Sequence, residues 1–160
     1  MIRLSKLTDY AIVVMAQMAR DRSAIQTVPQ LADRTGVPAP TVAKLLKLLT
    51  PAGLMVSHRG AAGGYTLAKP AEDISMAAII AALEGPIALT ACVDGSDGQC
   101  GVESLCPMRG GWDKLNKAIR RALEEVTLAD MAVVPTFPPL PAVPHQAASH
   151  QAGAADHFNR

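Results

Sequence analysis

The first fifty residues repeat apolar side chains at the three- and four-residue spacing of amphipathic helices. Residues 5–20 predict a first helix whose buried stripe contains Leu7, Ala11, Val14, Met15 and Met18. Pro29 suits the first turn of a short second helix, and Gly36 suits its left-handed C-terminal cap. A third helix has Pro40 in its opening turn and buries Val42, Leu45, Leu46 and Leu49.

The tight turn "VPAP" joins the second and third helices, and the third helix leaves Thr41, Lys44 and Lys47 on its free face. This pattern is typical of a helix-turn-helix motif, which lays its second helix in the major groove of DNA. Such helix pairs also occur as packing units without any DNA contact. The pair alone therefore leaves both interpretations open.

The next segment, "LMVSHRGAAGGYTLAKP", alternates apolar and polar residues in two short runs separated by a glycine-rich turn. The alternation predicts a β-hairpin, and a hairpin directly after a recognition-type helix indicates a winged helix. Arg59, at the base of the turn, would then enter the narrow minor groove, and the glycines would let the backbone approach phosphate. The alternative is an ordinary two-stranded turn.

Two more helices are predicted in the second half of the chain. Ser75 caps a nearly continuous apolar segment that Gly85 ends, which indicates a core helix. A longer helix carries a coiled-coil-like seam of Trp112, Leu115, Ile119, Ala122 and Val126. We expect this helix to form a two-fold dimer, which would set two recognition helices about one DNA turn apart. Packing against its own domain is the alternative, and Thr127 with Asp130 predicts one final capped turn.

The predicted fold class is mainly α with a small β-hairpin wing: a winged helix-turn-helix domain plus a long dimerisation helix. We expect a DNA-binding domain over residues 1–84, a cysteine-bearing cluster-binding loop over 85–108, and the dimerisation helix with its final turn over 109–131. Residues 132–160 are rich in proline and alanine and predict a disordered tail.

Charge is distributed unevenly along a chain whose formal net charge is only +1. Residues 1–70 carry nine lysines or arginines against three aspartates, so this part is +6 and the remainder is −5. A basic half favours a polyanionic partner, although a solvated basic face would look the same. The apolar runs are shorter than the ~20 residues of a membrane span and no signal peptide is recognisable, so we expect a cytoplasmic protein without membrane contact.

All three cysteines lie in the glycine-rich segment between the last two long helices. Cys92, Cys100 and Cys106 have the spacing C-x7-C-x5-C. An odd number of cysteines in an expected reducing compartment argues against a disulfide framework, which leaves metal or redox chemistry open.

These features together resemble a known family. The opening "IRLSKLTDYAIVVM", the wing "RGAAGGYTLAK", the three cysteines before a tryptophan-led helix and the ending "EEVTLADM" resemble the IscR-like winged-helix regulators of bacteria, which sense iron-sulfur clusters, nitric oxide or redox state. The similarity extends to about residue 131. Within the family, the chain most resembles the branch that regulates SUF-type iron-sulfur cluster assembly.

The resemblance implies that Cys92, Cys100 and Cys106 ligate an iron-sulfur cluster, with 2Fe-2S expected and 4Fe-4S as the alternative. Soft thiolates stabilise such clusters, and a glycine-rich loop lets three sulfurs converge. A structural zinc site, a redox thiol pair and unliganded cysteines are the competing interpretations. Zinc sites favour C-x2-4-C spacings, which this segment lacks.

The fourth ligand departs from the family pattern. Well-known members have a histidine three residues beyond the last cysteine, where this chain has Arg109, whose guanidinium cannot coordinate. Other members use an acid near the start of the first helix, and Asp9 matches that position and could reach across a dimer. A small exogenous ligand or the acids Asp94, Asp97 and Glu103 are alternatives, and Asp9 could simply favour the helix dipole.

The resulting hypothesis is a homodimeric transcriptional regulator, a repressor of iron-sulfur assembly genes that binds a palindromic duplex. Thr41 and Lys44 would face base edges, Lys47 a phosphate and Arg59 the minor groove. A nitric-oxide or redox-sensing regulator of the same fold is the alternative, followed by an electron or cluster carrier. An enzyme is not expected, because the chain offers no catalytic triad, phosphate loop or paired acids, and no small-molecule substrate is implied.

Overall fold

A computed structural model of the chain describes residues 3–21, 24–93, 106–108 and 110–132. The elements follow in the order α1 (Lys6–Ala19), α2 (Val28–Thr35), α3 (Ala39–Leu49), β1 (Met55–His58), β2 (Gly64–Leu67), a 3-10 turn (Ala71–Asp73), α4 (Met76–Glu84), α5 (Gly111–Glu125) and α6 (Leu128–Met131). The predicted fold class, mainly helical with a small two-stranded hairpin, is confirmed.

The helix α1 forms the centre of the core. Ser5 caps it by accepting a hydrogen bond from the Thr8 amide. Most of the predicted stripe is buried, namely Ala11, Val14, Met15 and Met18, while Leu7 is partly buried against the same core. The helices α2, α3, α4 and α6 all pack on α1, so this stripe joins the helix pair α2 and α3 to the last described helix.

The helix pair α2 and α3 has the caps that the sequence indicated. Thr27 and Gln30 form a capping box at the start of α2, and Gly36 ends it in the left-handed region with a φ of 72°. The helix α3 buries its apolar stripe completely, at Val42, Leu45, Leu46 and Leu49. Because this stripe is fixed in the core, the opposite face of α3 is left on the surface.

The hairpin follows α3 after a short turn. Its antiparallel register pairs Met55 with Leu67 and His58 with Gly64. A further backbone bridge joins Gln26, which precedes α2, to Tyr65 through reciprocal N–H···O bonds of 3.0 and 2.9 Å. The wing is therefore fixed to the helix pair by a third backbone segment, which the sequence patterns did not predict.

The helix α4 is capped by Ser75 and ends at Gly85, as expected. After α5 the chain returns to the start of α4, where Ser75 and Thr127 form a backbone bridge. The Leu128 amide donates to the Ile74 carbonyl at 2.7 Å, and the Leu128 side chain is fully buried. The final capped turn, predicted from Thr127 and Asp130, is present as α6.

The helix α5 packs against α4 along one edge of its apolar stripe. Asn116 is buried and Leu123 packs against the core, so part of this helix does cover its own domain. The other edge is exposed: Leu115 is 46% and Val126 is 38% accessible. No described helix is both long and apolar enough to cross a membrane.

Candidate nucleic-acid interface and cysteine site

The exposed face of α3 presents the residues predicted to contact DNA. Lys44 and Lys47 are exposed, and Thr41 is half-buried near the start of the helix. The buried stripe on the opposite face fixes the rotation of α3 about its axis, so these three side chains share the surface side. Two ammonium groups and a hydroxyl suit phosphate and base-edge contacts.

The wing turn exposes Arg59 directly after β1. The turn is tight enough to require glycine: a Cβ on Gly63 would lie 2.6 Å from the His58 carbonyl oxygen, and Gly60 has a φ of 106°. The His58 imidazole Nε2 is 3.0 Å from the Thr66 hydroxyl, which ties the two strands together beside the turn. Arg59 therefore extends from a constrained backbone, as a minor-groove contact requires.

Gln26 and Gly64 form the platform beneath the wing. Gln26 is 2% exposed, and its carbonyl oxygen Oε1 accepts a hydrogen bond of 3.3 Å from the Arg34 guanidinium. A Cβ on Gly64 would lie 2.7 Å from the Gln26 backbone oxygen, so the close approach of the two segments needs glycine. Sequence patterns missed this platform because Gln26 lies in a loop and carries no periodic signal.

The two described cysteines, Cys92 and Cys106, lie within the segment between α4 and α5. Cys92 and Cys106 are both half-buried, and both are free thiols. The Cys92 Sγ is 3.3 Å from the Thr90 hydroxyl, and the neighbouring Val93 is 4% exposed. Free, partly sheltered sulfurs suit soft-metal ligation. Cys100 lies outside the described residues, as do Arg109 and the acids Asp94, Asp97 and Glu103.

Asp9 is exposed in the first turn of α1, where its amide bonds to the Ser5 carbonyl. It lines a shallow surface depression together with Arg3, Lys6 and Ile12. Within the described part of one protomer, no three acidic, cysteine or histidine side chains gather closely enough to hold a metal ion. Asp9 is thus open to an approaching partner, and is not brought to Cys92 and Cys106 as one closed site.

A carboxylate links the end of α4 to the start of α1. Glu84 Oε1 accepts hydrogen bonds from the Thr8 hydroxyl at 2.6 Å and from the Ser5 amide at 2.7 Å. The Thr8 hydroxyl, followed by the Ser5 amide, holds the pKa of the Glu84 carboxyl below its ordinary value. The network joins the last residue of α4, which directly precedes the cysteine segment, to α1, which carries Asp9. No local pattern could reveal it, because the partners are 76 and 79 residues apart.

Asn116 makes a second link, between the cysteine segment and α5. Its Nδ2 donates to the Ile87 carbonyl at 2.9 Å, and its Oδ1 accepts from the Leu89 amide at 3.1 Å. Asn116 is 5% exposed. Its position between Trp112 and Ile119, on an otherwise apolar stripe, is the sequence signal that could have identified it.

Comparison with known proteins identifies the family of this arrangement. The sequence profile described as "Rrf2: Iron-dependent Transcriptional regulator" matches residues 4–133. The chain is 30% identical to the HTH-type transcriptional regulator NsrR of Oceanobacillus iheyensis, over 81% of this chain and 89% of that protein. It is 29% identical to the HTH-type transcriptional repressor NsrR of Streptomyces coelicolor, over 87% and 94% of the two chains.

Solved structures show the same fold. The structure titled "T. potens IscR" superposes with a TM-score of 0.59 at 30% identity and covers 81% of this chain and 85% of its own. The structure of CymR, described as the global cysteine regulator of B. subtilis, has a TM-score of 0.64 at 27% identity, with 82% and 97% coverage. The similar proteins are regulators of transcription, and the predicted resemblance to IscR-like winged-helix regulators is confirmed.

Proposed function

Because the chain belongs to the Rrf2 family of iron-dependent transcriptional regulators, we propose that it represses iron-sulfur assembly genes as a homodimer controlled by a bound iron-sulfur cluster. The chain is a regulator and not an enzyme. The observation that carries the proposal is the pair of free, half-buried thiols, Cys92 and Cys106, within the segment that connects α4 to α5.

DNA contact is assigned to the surface side of α3 and to the wing. Thr41 and Lys44 meet base edges in the major groove, and Lys47 neutralises a phosphate. Arg59 enters the minor groove, held by the glycine-constrained turn. The exposure of all three basic side chains supports this assignment.

Cluster ligation is assigned to Cys92, Cys100 and Cys106, with 2Fe-2S expected and 4Fe-4S as the alternative. When bound, the cluster would supply a centre that responds to oxidants, to nitric oxide or to the availability of clusters. Its presence or absence would distinguish the two states of the regulator. The free thiols fit it, since thiolates are its usual ligands. Asp9 is the proposed fourth ligand, and its exposure on α1 lets it serve the second protomer.

The dimer is assigned to the exposed edge of α5. Leu115 and Val126 are large apolar side chains that the protomer leaves uncovered. A second copy of this helix would bury them across a two-fold axis, and each protomer would then present one recognition helix to one half of a palindrome.

One experiment tests ligation and DNA binding together. The protein is reconstituted anaerobically, its visible spectrum is recorded, and its affinity for a palindromic duplex is measured with and without the cluster over a salt series. We expect a coloured protein whose DNA affinity depends on cluster occupancy and falls steeply with salt. Cys106→Ala should remove the colour. Protein that stays colourless, or whose affinity ignores the cluster, would contradict the proposal.

Two arginine variants test, in the same assay, whether the wing contacts DNA. Arg59→Ala should weaken DNA binding by about 1–3 kcal/mol while leaving the colour intact. Arg121→Ala removes the same charge from the exposed surface of α5 and serves as the control. Equal affinities of the two variants would place the wing away from the groove.

A redox-sensing regulator is the second candidate, favoured by the same free thiols and by the structural similarity to CymR. Here two thiols would give two protons and two electrons to hydrogen peroxide, forming one disulfide and two waters. Metal-free protein whose DNA affinity changes on peroxide treatment and recovers with a dithiol would favour this candidate.

A further inference from the structure

Asn116 is a buried amide on a helix face that is otherwise apolar. It is 5% exposed, and both polar ends of its side chain are paired with the backbone that follows α4. The Ile87 carbonyl and the Leu89 amide lie two residues apart and point to the same side. This is the spacing with which a parallel strand bonds one peptide residue of its neighbour.

The Asn116 side-chain amide therefore makes the two hydrogen bonds that a backbone peptide of a parallel strand would make. A buried amide without partners costs about 1–3 kcal/mol, so an unpaired Asn116 would be unfavourable on this face. The two bonds remove that cost only when residues 87–89 lie in this one register against α5. A leucine of similar size would pack on α4 without selecting any register.

We call these two hydrogen bonds of Asn116 the clamp. The clamp fixes the position of Cys92 relative to Cys106. Cys106 precedes the first residue of α5 by five positions, and Cys92 follows Leu89 by three. The Gly111 amide at the start of α5 donates to the Met108 carbonyl at 2.9 Å, two residues after Cys106. Asn116, in the second turn of the same helix, bonds the Leu89 amide, three residues before Cys92. Both described thiols are then positioned from a single helix.

We propose that Asn116 is a positioning residue that registers the Cys92 segment on α5 and so preorganises the cysteine ligands. The inference rests on the proposed function for its consequence, which is a longer-lived cluster. The hydrogen bonds of the clamp involve no cysteine and no cluster atom, so its geometry can be tested separately.

The first test uses metal-free protein and needs no cluster. Asn116→Leu keeps the volume and removes both hydrogen bonds. We expect hydrogen exchange at the Leu89 amide to accelerate about tenfold and alkylation of the Cys92 thiol by iodoacetamide to become several-fold faster, because the segment opens more often. Unchanged exchange and alkylation would overturn the proposal.

Two further variants separate positioning from stability. Leu123→Ala loses packing on the inward side of the same helix without touching the clamp, so Leu89 exchange should rise no more than that of neighbouring amides. Asn116→Ala removes both hydrogen bonds without adding volume, and its Leu89 exchange should rise as it does in Asn116→Leu. It also supplies the measurement should Asn116→Leu fail to fold.

The second test measures cluster lifetime in reconstituted protein exposed to air. Asn116→Leu should lose its visible absorption several-fold faster than Leu123→Ala, even when the two have similar melting temperatures. Equal decay of the two variants would overturn the positioning role. A wild-type protein that takes up no cluster would instead contradict the proposed function, while the exchange and alkylation results would still decide the role of Asn116.

Discussion

The Glu84 carboxylate holds together two helices that are distant in the chain. It accepts from a fully buried hydroxyl, Thr8, and from the Ser5 amide at the N-terminus of α1. Both donors favour the charged form, which lowers the pKa of Glu84 below its ordinary value of 4.5. The attachment of α1 to the end of α4 is therefore stronger when this group is ionised.

This lowered pKa predicts a pH-dependent contribution to stability. The contribution is fully present above the ordinary glutamate pKa and is lost as the pH falls through the lowered folded value. Glu84→Gln keeps an acceptor but loses the charge, so at pH 7 it should cost about 0.5 kcal/mol, a small value because the group is exposed. Urea unfolding at a series of pH values checks this.

The control for that series is Glu125→Gln, which removes an exposed carboxylate from the far end of α5. The difference between Glu84→Gln and wild type should shrink as the pH falls below about 4, whereas the control should differ little throughout. A difference that grows in acid would contradict the assigned network.

At the level of elements, the wing depends on a neighbour that the hairpin does not contain. The Gln26 backbone adds a third segment beside Tyr65, and Gly64 makes that approach possible. Within the described part of the chain, the Gln26 Nε2 has no hydrogen-bond partner, although its Oε1 is bonded to Arg34. The platform is thus held mainly by its backbone pair and by close packing.

Gly64→Ala tests this platform. Its new Cβ would meet the Gln26 oxygen at 2.7 Å, so the bridge should separate, with a loss of about 1–3 kcal/mol in unfolding free energy. DNA binding should weaken as well, since Arg59 loses its support. Ser57→Ala, on the paired strand and exposed, is the matched control. If both variants melt alike and bind DNA alike, the platform has no supporting role.

Elements with a local cause were predictable from the sequence. The stripes of α1 and α3, the glycine caps at Gly36 and Gly85, and the final capped turn each follow from residues within a few positions of one another. Gln26, Glu84 and Asn116 could not be placed in this way, because their partners come from distant segments. The proposed role of Asp9 needs a second protomer, which the pattern of one chain does not fix.

At the scale of the whole molecule, one side of α5 packs on its own protomer and another side leaves apolar side chains exposed. Asn116 and Leu123 face the protomer, whereas Leu115 and Val126 remain on the surface. These inward-facing residues do not belong to the predicted seam, of which Leu115, Ala122 and Val126 are exposed and Trp112 and Ile119 are partly buried. Such a division would let one helix contact both the cysteine segment and, in the proposed dimer, a second copy.

Leu115→Lys should weaken the dimer. A charge on the exposed edge has to be desolvated on association, so we expect the dissociation constant of the proposed dimer to rise by about tenfold or more. Sedimentation velocity over a concentration series measures it. Glu125→Lys introduces the same side chain on another face of α5 and should leave association unchanged. A Leu115→Lys protein that remains fully dimeric would move the interface elsewhere.

The bridge between Ser75 and Thr127 has one more consequence. Together with the bond from the Met76 amide to the Val126 carbonyl, at 2.8 Å, it fastens the C-terminal end of α5 to the domain that carries α3. A rearrangement near Cys106 would therefore displace the N-terminal end of α5 more than its fixed C-terminal end. In the proposed dimer, a small displacement at this end would change the separation of the two recognition helices, while each α5 stays attached to its own domain.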